Sequence, residues 1–127
     1  MSSIASLNYL VHDIDEALTF FREQLGFEVV ADEIGPDRRR TVVAPRGGAG
    51  ASLVLKPATD DDQRAAVGRQ GGGAVLFFLE TDDFERDHRH MTAAGVRFRE
   101  QPRHEPYGTV AVFDDLYGNG WDLIQPA

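Results

Sequence analysis

The chain has 127 residues and a mass of 14.0 kDa, the size of one ordinary domain. It carries 13 basic and 21 acidic residues, a net charge of −8, and such a surface repels nucleic-acid phosphates. The absence of cysteine excludes disulfides, thiolate metal sites and cysteine nucleophiles. No apolar run approaches the roughly 20 residues that span a bilayer, and no signal-peptide pattern begins the chain. We therefore expect a cytoplasmic protein with no membrane or nucleic-acid partner.

The first half of the chain predicts a strand, a helix and three more strands. Residues 4–12 alternate apolar and polar side chains, which is typical of a strand. Asp13 or Asp15 can cap the following helix, and Gly26 ends it. Further strands are predicted over 27–34, 38–44 and 51–56.

The second half repeats this order after a linking segment of different composition. A strand is predicted over 74–81, a helix capped by Asp82 or Asp83 ends at Gly95, and strands follow over 96–100, 109–113 and 121–125. We interpret the chain as one domain with a first module over residues 4–57, a connector over 58–73 and a second module over 74–127.

The two halves have the spacing of an internal duplication. Asp82 follows Asp13 by 69 positions, and Gly95 follows Gly26 by the same offset. Each βαβββ module leaves one sheet face uncovered by its helix. We therefore predict an α+β fold in which two paired modules form a curved mixed sheet, with the helices outside and a concave cleft inside.

Each module carries several short motifs. They are Val11-His12-Asp13, Phe20-Phe21 and Leu25-Gly26-Phe27 in the first, and Leu79 to Asp83, Ala94-Gly95-Val96, Gly118-Asn119 and Trp121-Asp122-Leu123 in the second. With these motifs the chain resembles the glyoxalase, bleomycin-resistance and ring-cleaving dioxygenase superfamily, also called the vicinal oxygen chelate fold. The resemblance covers essentially the whole chain. It implies one of several functions, because members include lyases, epimerases, dioxygenases, thiol transferases and metal-free drug-binding proteins.

The resemblance also implies where a metal would bind. Enzymes of the superfamily hold a divalent ion with His, Glu or Gln from equivalent strands of the two modules. The matching positions here are Ser6 and Leu76, and residues 47–56 contain no Asp, Glu, His or Gln. Asp122 stands where metal-binding members carry Glu. One carboxylate does not hold a catalytic ion, so we expect neither a metal nor a cofactor.

Strand alternation predicts which side chains face the cleft. The predicted lining is Ser6, Asn8, Leu10, Leu76, Phe78, Glu80, Asp122 and Ile124. This mixture of apolar groups and a few polar anchors is typical of a small-molecule pocket. Two alternatives stay open: these residues fill a dimer core, or Asp122 is a hairpin residue satisfied by backbone amides.

The four histidines predict no metal site. His88 and His90 lie two apart on the second helix and point about 200° away from one another, so we expect exposed side chains. His12 ends the first strand, where it hydrogen-bonds near the helix start or acts as a base. His104 is expected in a loop at the cleft rim.

These observations favour a metal-free small-molecule-binding protein of the bleomycin-resistance kind. We expect a bacterial homodimer that sequesters a drug or metabolite. The alternative is a glyoxalase-like lyase or isomerase that uses Asp122 with Glu80 or His12 as acid and base. A third hypothesis is a subunit that only binds a protein partner.

Overall fold

The computed structural model describes all of residues 1–127, which form two compact units over residues 1–67 and 68–127. The α+β class and the two strand–helix–strand modules expected from the sequence are confirmed. The elements of the first unit are β1 (Ser6–Val11), α1 (Ile14–Thr19) with a π-helical turn (Phe20–Gln24), β2 (Glu28–Ile34), β3 (Arg39–Ala44), β4 (Ser52–Pro57) and α2 (Asp61–Ala66).

The first unit is built on a mixed sheet with the strand order β1-β4-β3-β2. The first and fourth strands are parallel, and the other pairs are antiparallel. Asp13 is the residue that caps α1: its carboxylate accepts a hydrogen bond from the Glu16 N–H at 3.3 Å. A bulge between Val29 and Ala31 interrupts the pairing of β2 with β3.

The helix of the first unit covers one face of its sheet. Tyr9 and Val11 are 1% and 0% exposed, and the ring of Tyr9 packs edge-on against Phe21 at 5.4 Å. Leu7, which shares this face of β1, is 38% exposed at the beginning of the strand. Ser6, Asn8 and Leu10 lie on the opposite face of β1.

The second unit is built on a five-stranded mixed sheet in the order β5-β9-β8-β6, with β7 also paired to β8. Its first and last strands are again parallel. Its elements are β5 (Phe77–Glu80), α3 (Phe84–Ala93), β6 (Arg97–Phe98), β7 (Arg103–Glu105), β8 (Gly108–Asp114) and β9 (Gly120–Pro126). No helix in the structure combines the length and apolar character needed to cross a membrane.

The core of the second unit lies between α3 and one face of this sheet. Phe113 and Leu123 are fully buried, and Trp121 packs against Phe77 at 4.9 Å and against Phe113 at 5.6 Å. Asp83 caps the helix by accepting the Arg86 N–H at 3.0 Å. The opposite face of the same strands carries Asp122.

The turn before the last strand is held by a buried carboxylate. Asp115 is 5% exposed and accepts the backbone N–H groups of Tyr117 and Asn119 at 3.1 and 3.0 Å. It also accepts the Asn119 side-chain amide and the Trp121 indole N–H at 3.0 and 2.9 Å. This network fixes the start of the strand that carries Asp122.

Strand boundaries in the second unit differ from those predicted. The strand expected over 96–100 is only Arg97–Phe98, and the segment Arg103–Glu105 is a strand that the sequence did not predict. Pro102 lies between them and has no N–H to donate, which ends regular pairing. His104 therefore lies on a strand rather than in the loop where it was expected. The strand expected from residue 74 begins at Phe77, because Ala74 closes a turn with the Gly71 carbonyl.

Candidate functional site

The first unit presents a mostly neutral sheet face. Ser6, Asn8 and Leu10 alternate with the buried residues of β1, as predicted, and Asn8 lies in register with Val54 of β4. Val54 in turn lies in register with Val42 of β3. The centre of this face is therefore apolar with one amide beside it, and the ion pair of Arg40 with Glu33, at 3.7 Å, lies farther along β3 on the same face.

The corresponding face of the second unit has a carboxylate at its centre. Phe78 of β5 and Val112 of β8 are the two register partners of Asp122. In the next row, Glu80 of β5 lies in register with Ile124. The structure therefore brings together four of the predicted lining residues of this module.

The fifth predicted residue of this module, Leu76, precedes the strand. Its N–H donates to the Gly120 carbonyl at 2.7 Å, so it continues the pairing of β5 with β9. The side chain is half-buried and supplies only apolar surface.

Asp122 has an unusual environment for a carboxylate. Its Oδ1 atom is buried and has no hydrogen-bond partner. Burial raises the pKa of this carboxyl, Arg103 opposes the rise, and Glu100 adds to it. A buried acceptor without a donor is rare in folded proteins, because no hydrogen bond then offsets the free-energy cost of removing the acceptor from water. The hypothesis that backbone amides of the hairpin satisfy Asp122 is therefore wrong for Oδ1.

Arg103 is close enough to Asp122 to lower its pKa, but the N–H groups of Arg103 donate to other residues. Its Nε and Nη2 atoms donate to Glu100 at 2.7 and 3.3 Å, and its Nη1 atom donates to Glu105 at 3.1 Å. Tyr107 adds a further side-chain hydrogen bond, and these partners raise the pKa of the guanidinium. We call these four residues the Arg103 cluster: Glu100, Arg103, Glu105 and Tyr107.

The Arg103 cluster was missed by sequence reasoning because β7 was missed. A strand places side chains two apart on the same side, so an Arg and a Glu flanking His104 form a pair only if the segment is extended. The signal was the turn at Pro106, Tyr107 and Gly108, followed directly by the strong strand of residues 109–113. Together these features indicate a hairpin.

A cleft lies on the helix side of the same sheet. It has a volume of about 420 Å³ and is lined by Phe84, Glu85, His88, Pro102, His104, Thr109 and Gln125. His88 is half-buried between the rings of Phe84 and Phe98, not exposed as predicted. His90 is exposed, as expected.

The chain matches a known family over almost its full length. Residues 3–123 match the family model described as the Glyoxalase/Bleomycin resistance protein/Dioxygenase superfamily. The chain belongs to this superfamily. A relative from Shewanella frigidimarina, itself uncharacterised, is 45% identical over 125 residues, which are 97% of this chain and 93% of the relative.

Two solved structures of the superfamily's fold are similar along the entire chain. TnmS3, an antibiotic binding protein from Streptomyces sp. CB03234, is 31% identical with a TM-score of 0.81, covering 100% of this chain and 98% of its own. A superfamily member from Sphaerobacter thermophilus is 27% identical with a TM-score of 0.77, covering 98% of each chain. The resemblance inferred from the sequence motifs is therefore confirmed.

The residues at the superfamily's metal positions do not fit a divalent ion. Ser6 and Leu76 stand at two of these positions, and leucine has no donor atom. No group of three or more His, Cys, Asp or Glu residues in the structure is arranged to hold a metal. Asp122 supplies a single carboxylate, whereas catalytic sites use about three protein ligands. A metal-dependent reaction therefore has no support from this donor set.

Proposed function

We propose that this protein binds a small organic molecule without a metal ion and sequesters it. The observation that carries the proposal is Asp122 on its sheet face: a half-buried carboxylate whose register partners on both neighbouring strands, Phe78 and Val112, are apolar. Such a face resembles a ligand-binding surface with one polar anchor rather than a reaction centre. The antibiotic-binding activity of TnmS3, which is similar along the whole chain, supports the same function.

The proposed ligand contacts are the predicted lining residues. On the second unit these are Leu76, Phe78, Glu80, Asp122 and Ile124, and on the first unit Ser6, Asn8 and Leu10. Phe78 is 72% exposed, which is unusual for so large an apolar side chain and is typical of a contact surface. We also propose a homodimer in the bacterial cytoplasm, which light scattering of the purified protein tests.

Thermal denaturation in the presence of a compound panel tests the function. The panel contains neutral, cationic and anionic aromatic compounds and glycopeptide antibiotics, each added with and without EDTA. We expect at least one class to raise the melting temperature equally under both conditions, because binding to the native state alone stabilises it. Silence across the whole panel would contradict small-molecule binding.

A separate measurement tests the metal-free character. The protein is equilibrated with Zn²⁺, Ni²⁺, Mn²⁺ and Fe²⁺ and desalted, and its metal content is then measured by mass spectrometry. We expect no stoichiometric ion. An ion that is retained at one per chain and lost in Asp122→Asn would overturn the proposal.

The second candidate function is a glyoxalase-like lyase or isomerase that uses Asp122 with Glu80 or His12. Burial raises the pKa of Asp122 above its ordinary value, which favours a carboxyl group that exchanges a proton with a substrate. Glu80 lies on the adjacent strand and on the same face, and His12 follows β1 with an exposed side chain. Activity on the hemithioacetal of methylglyoxal that survives EDTA and disappears in Asp122→Asn supports this candidate.

A further inference from the structure

The Oδ1 atom of Asp122 is the buried side-chain oxygen that has no hydrogen-bond partner in this protein. No N–H or O–H group of the chain reaches it. Nearly all buried polar atoms in folded proteins have a partner, and an exception points to a group missing from the free protein. Resting on the proposed function, we propose that Asp122 is the anchor for a protonated amine carried by an aromatic ligand.

The missing partner does not come from Arg103, the arginine that acts on Asp122 through space. Arg103 makes its ion pairs with Glu100 and Glu105, at 2.7 and 3.1 Å, and none with Asp122. Glu100 and Glu105 occupy the N–H groups of this guanidinium, so it acts on Asp122 through space but donates no hydrogen bond to it. The Arg103 guanidinium is therefore held by Glu100 and Glu105, and Asp122 is left to bind the ammonium group of a ligand.

The charges around Asp122 select a cation over an anion. Glu80 lies on the same face of the neighbouring strand, and Glu100 and Glu105 lie on the side of Arg103. Arg99 lies beside Gly120 on the same face of β9 but is paired with Asp114 at 2.5 Å. The five carboxylates, Asp114 included, therefore outnumber the two guanidinium groups. An anionic ligand would meet like charges at close range, whereas an ammonium group would gain a charge-assisted hydrogen bond from Asp122.

The side chains next to Asp122 select an aromatic body for the ligand. Phe78 is its register partner on β5 and leaves most of its ring exposed, while Val112 is its partner on β8. Directly opposed residues in neighbouring strands have Cβ atoms about 4.5–5.5 Å apart. A ring stacked on Phe78 therefore places an aminomethyl substituent within reach of Asp122, and the ammonium group also favours the ring face.

Matched probes test the proposal directly. Benzylamine, 2-naphthylmethylamine and 9-anthracenylmethylamine are each compared with the alcohol in which a hydroxyl replaces the ammonium group. Binding is measured by calorimetry at pH 7 to the wild type, to Asp122→Asn, and to Glu85→Gln. The last variant removes the same charge from α3, in the helix-side cleft and away from the proposed contacts.

We expect at least one amine to bind about 10- to 100-fold more tightly than its alcohol, as expected for a hydrogen bond to an ionised group. Asp122→Asn should remove this preference, and Glu85→Gln should keep it. The amine-to-alcohol ratio in the wild type is a test that does not depend on the folding of any variant.

Three results would overturn the proposal: equal binding of amines and alcohols, a preference that survives in Asp122→Asn, or no binding by any amine. The compound panel separates this failure from failure of the proposed function. Melting shifts caused only by neutral or anionic compounds leave small-molecule binding intact and remove the amine anchor. If no compound of the panel shifts the melting temperature, both small-molecule binding and the amine anchor are contradicted.

Discussion

Arg103 acts on Asp122 through space and not through a hydrogen bond. The guanidinium lowers the pKa of Asp122, yet its N–H groups donate to Glu100 and Glu105. Arg103 therefore has two kinds of carboxylate neighbour: Glu100 and Glu105 accept its hydrogen bonds, and Asp122 does not. Their pKa values move in opposite directions, since that of Glu100 is lowered and that of Asp122 is raised. This contrast leads to two predictions of opposite sign.

Asp122→Asn should stabilise the free protein at neutral pH. Because burial raises the folded pKa of Asp122 above its ordinary value of 3.8, the wild type loses stability as pH rises through that interval. The variant has no charge to bury. We expect its free energy of unfolding at pH 7 to exceed that of the wild type by about 1 kcal/mol. Urea denaturation between pH 3.5 and 7 measures the difference, which should shrink toward the acid end.

Glu85→Gln is the control for this prediction, since it removes an exposed carboxylate of the same unit. Glu85 lies in the first turn of α3, so its removal should lower the free energy of unfolding at pH 7 by at most about 0.3–1 kcal/mol and should not raise it. The opposite result would contradict this prediction: an Asp122→Asn variant whose stability relative to the wild type is lower at pH 7 than at pH 4. It would show that the ionised Asp122 side chain has a stabilising partner in solution.

Glu100→Gln should destabilise the protein at neutral pH. The Arg103 guanidinium holds the pKa of Glu100 below its ordinary value of 4.5, and the Val112 N–H, which donates at 2.8 Å, acts in the same sense against burial. This stabilisation is present above pH 4.5 and is lost as pH falls through the lower folded pKa. We expect a loss of about 1 kcal/mol at pH 7 that vanishes in acid. A loss that is independent of pH would indicate a packing effect instead.

Much of the fold follows from signals that are local in the sequence. The helix beginning at Asp13 and the helix ending at Gly95 both combine a polar cap, an apolar stripe and a stopping glycine, which specify a helix without tertiary information. The repeated spacing then predicts the same topology for both modules, and each unit does pair its first strand in parallel with its last. Alternation also placed Asp122 and Phe78 on one face correctly.

The parts that were not predictable depend on contacts between distant residues. A three-residue strand such as β7 has almost no periodicity, and only its pairing with β8 defines it. The position of Arg103 depends on that strand. His88 was predicted to be exposed because it and His90 lie two apart on the helix and point about 200° away from one another, but the ring of Phe98, supplied by β6, covers it. Neither contact has a signature in the local sequence.

Asp115→Ala should unfold the turn that leads into β9. The substitution removes the acceptor of the Trp121 indole N–H and of the Asn119 backbone N–H, both in a buried setting. Each unpaired buried donor costs about 1–3 kcal/mol, and partial rescue by water keeps the total near 3 kcal/mol. Denaturation followed by fluorescence of Trp121, the only tryptophan, measures the loss. Asp37→Ala, in the exposed turn of the first unit, is the matched control and should change stability by less than about 0.5 kcal/mol.

Gly108→Ala should be far more damaging than Gly72→Ala, although both glycines have positive φ angles. A Cβ atom at Gly108 would lie 2.2 Å from the Gln125 carbonyl oxygen on the adjacent strand, so the β8–β9 pairing has to open. A Cβ atom at Gly72 meets nothing within 4 Å and adds only the cost of the backbone angle. We expect losses of roughly 3 and 1 kcal/mol, respectively, in urea denaturation. Equal losses would mean that the backbone angle alone decides both.

His88→Ala should destabilise the second unit, whereas His90→Ala should not. The His88 ring stacks on Phe84 at 5.4 Å and lies 4.4 Å from Phe98, so it joins α3 to β6. Both substitutions gain the same helix propensity, which makes the pair a matched comparison. Removing the two aromatic contacts should cost about 1 kcal/mol more at position 88, a difference of about 3–5 °C in melting temperature. Equal melting temperatures for the two variants would show that His88 is a surface residue, as its helix alone predicts.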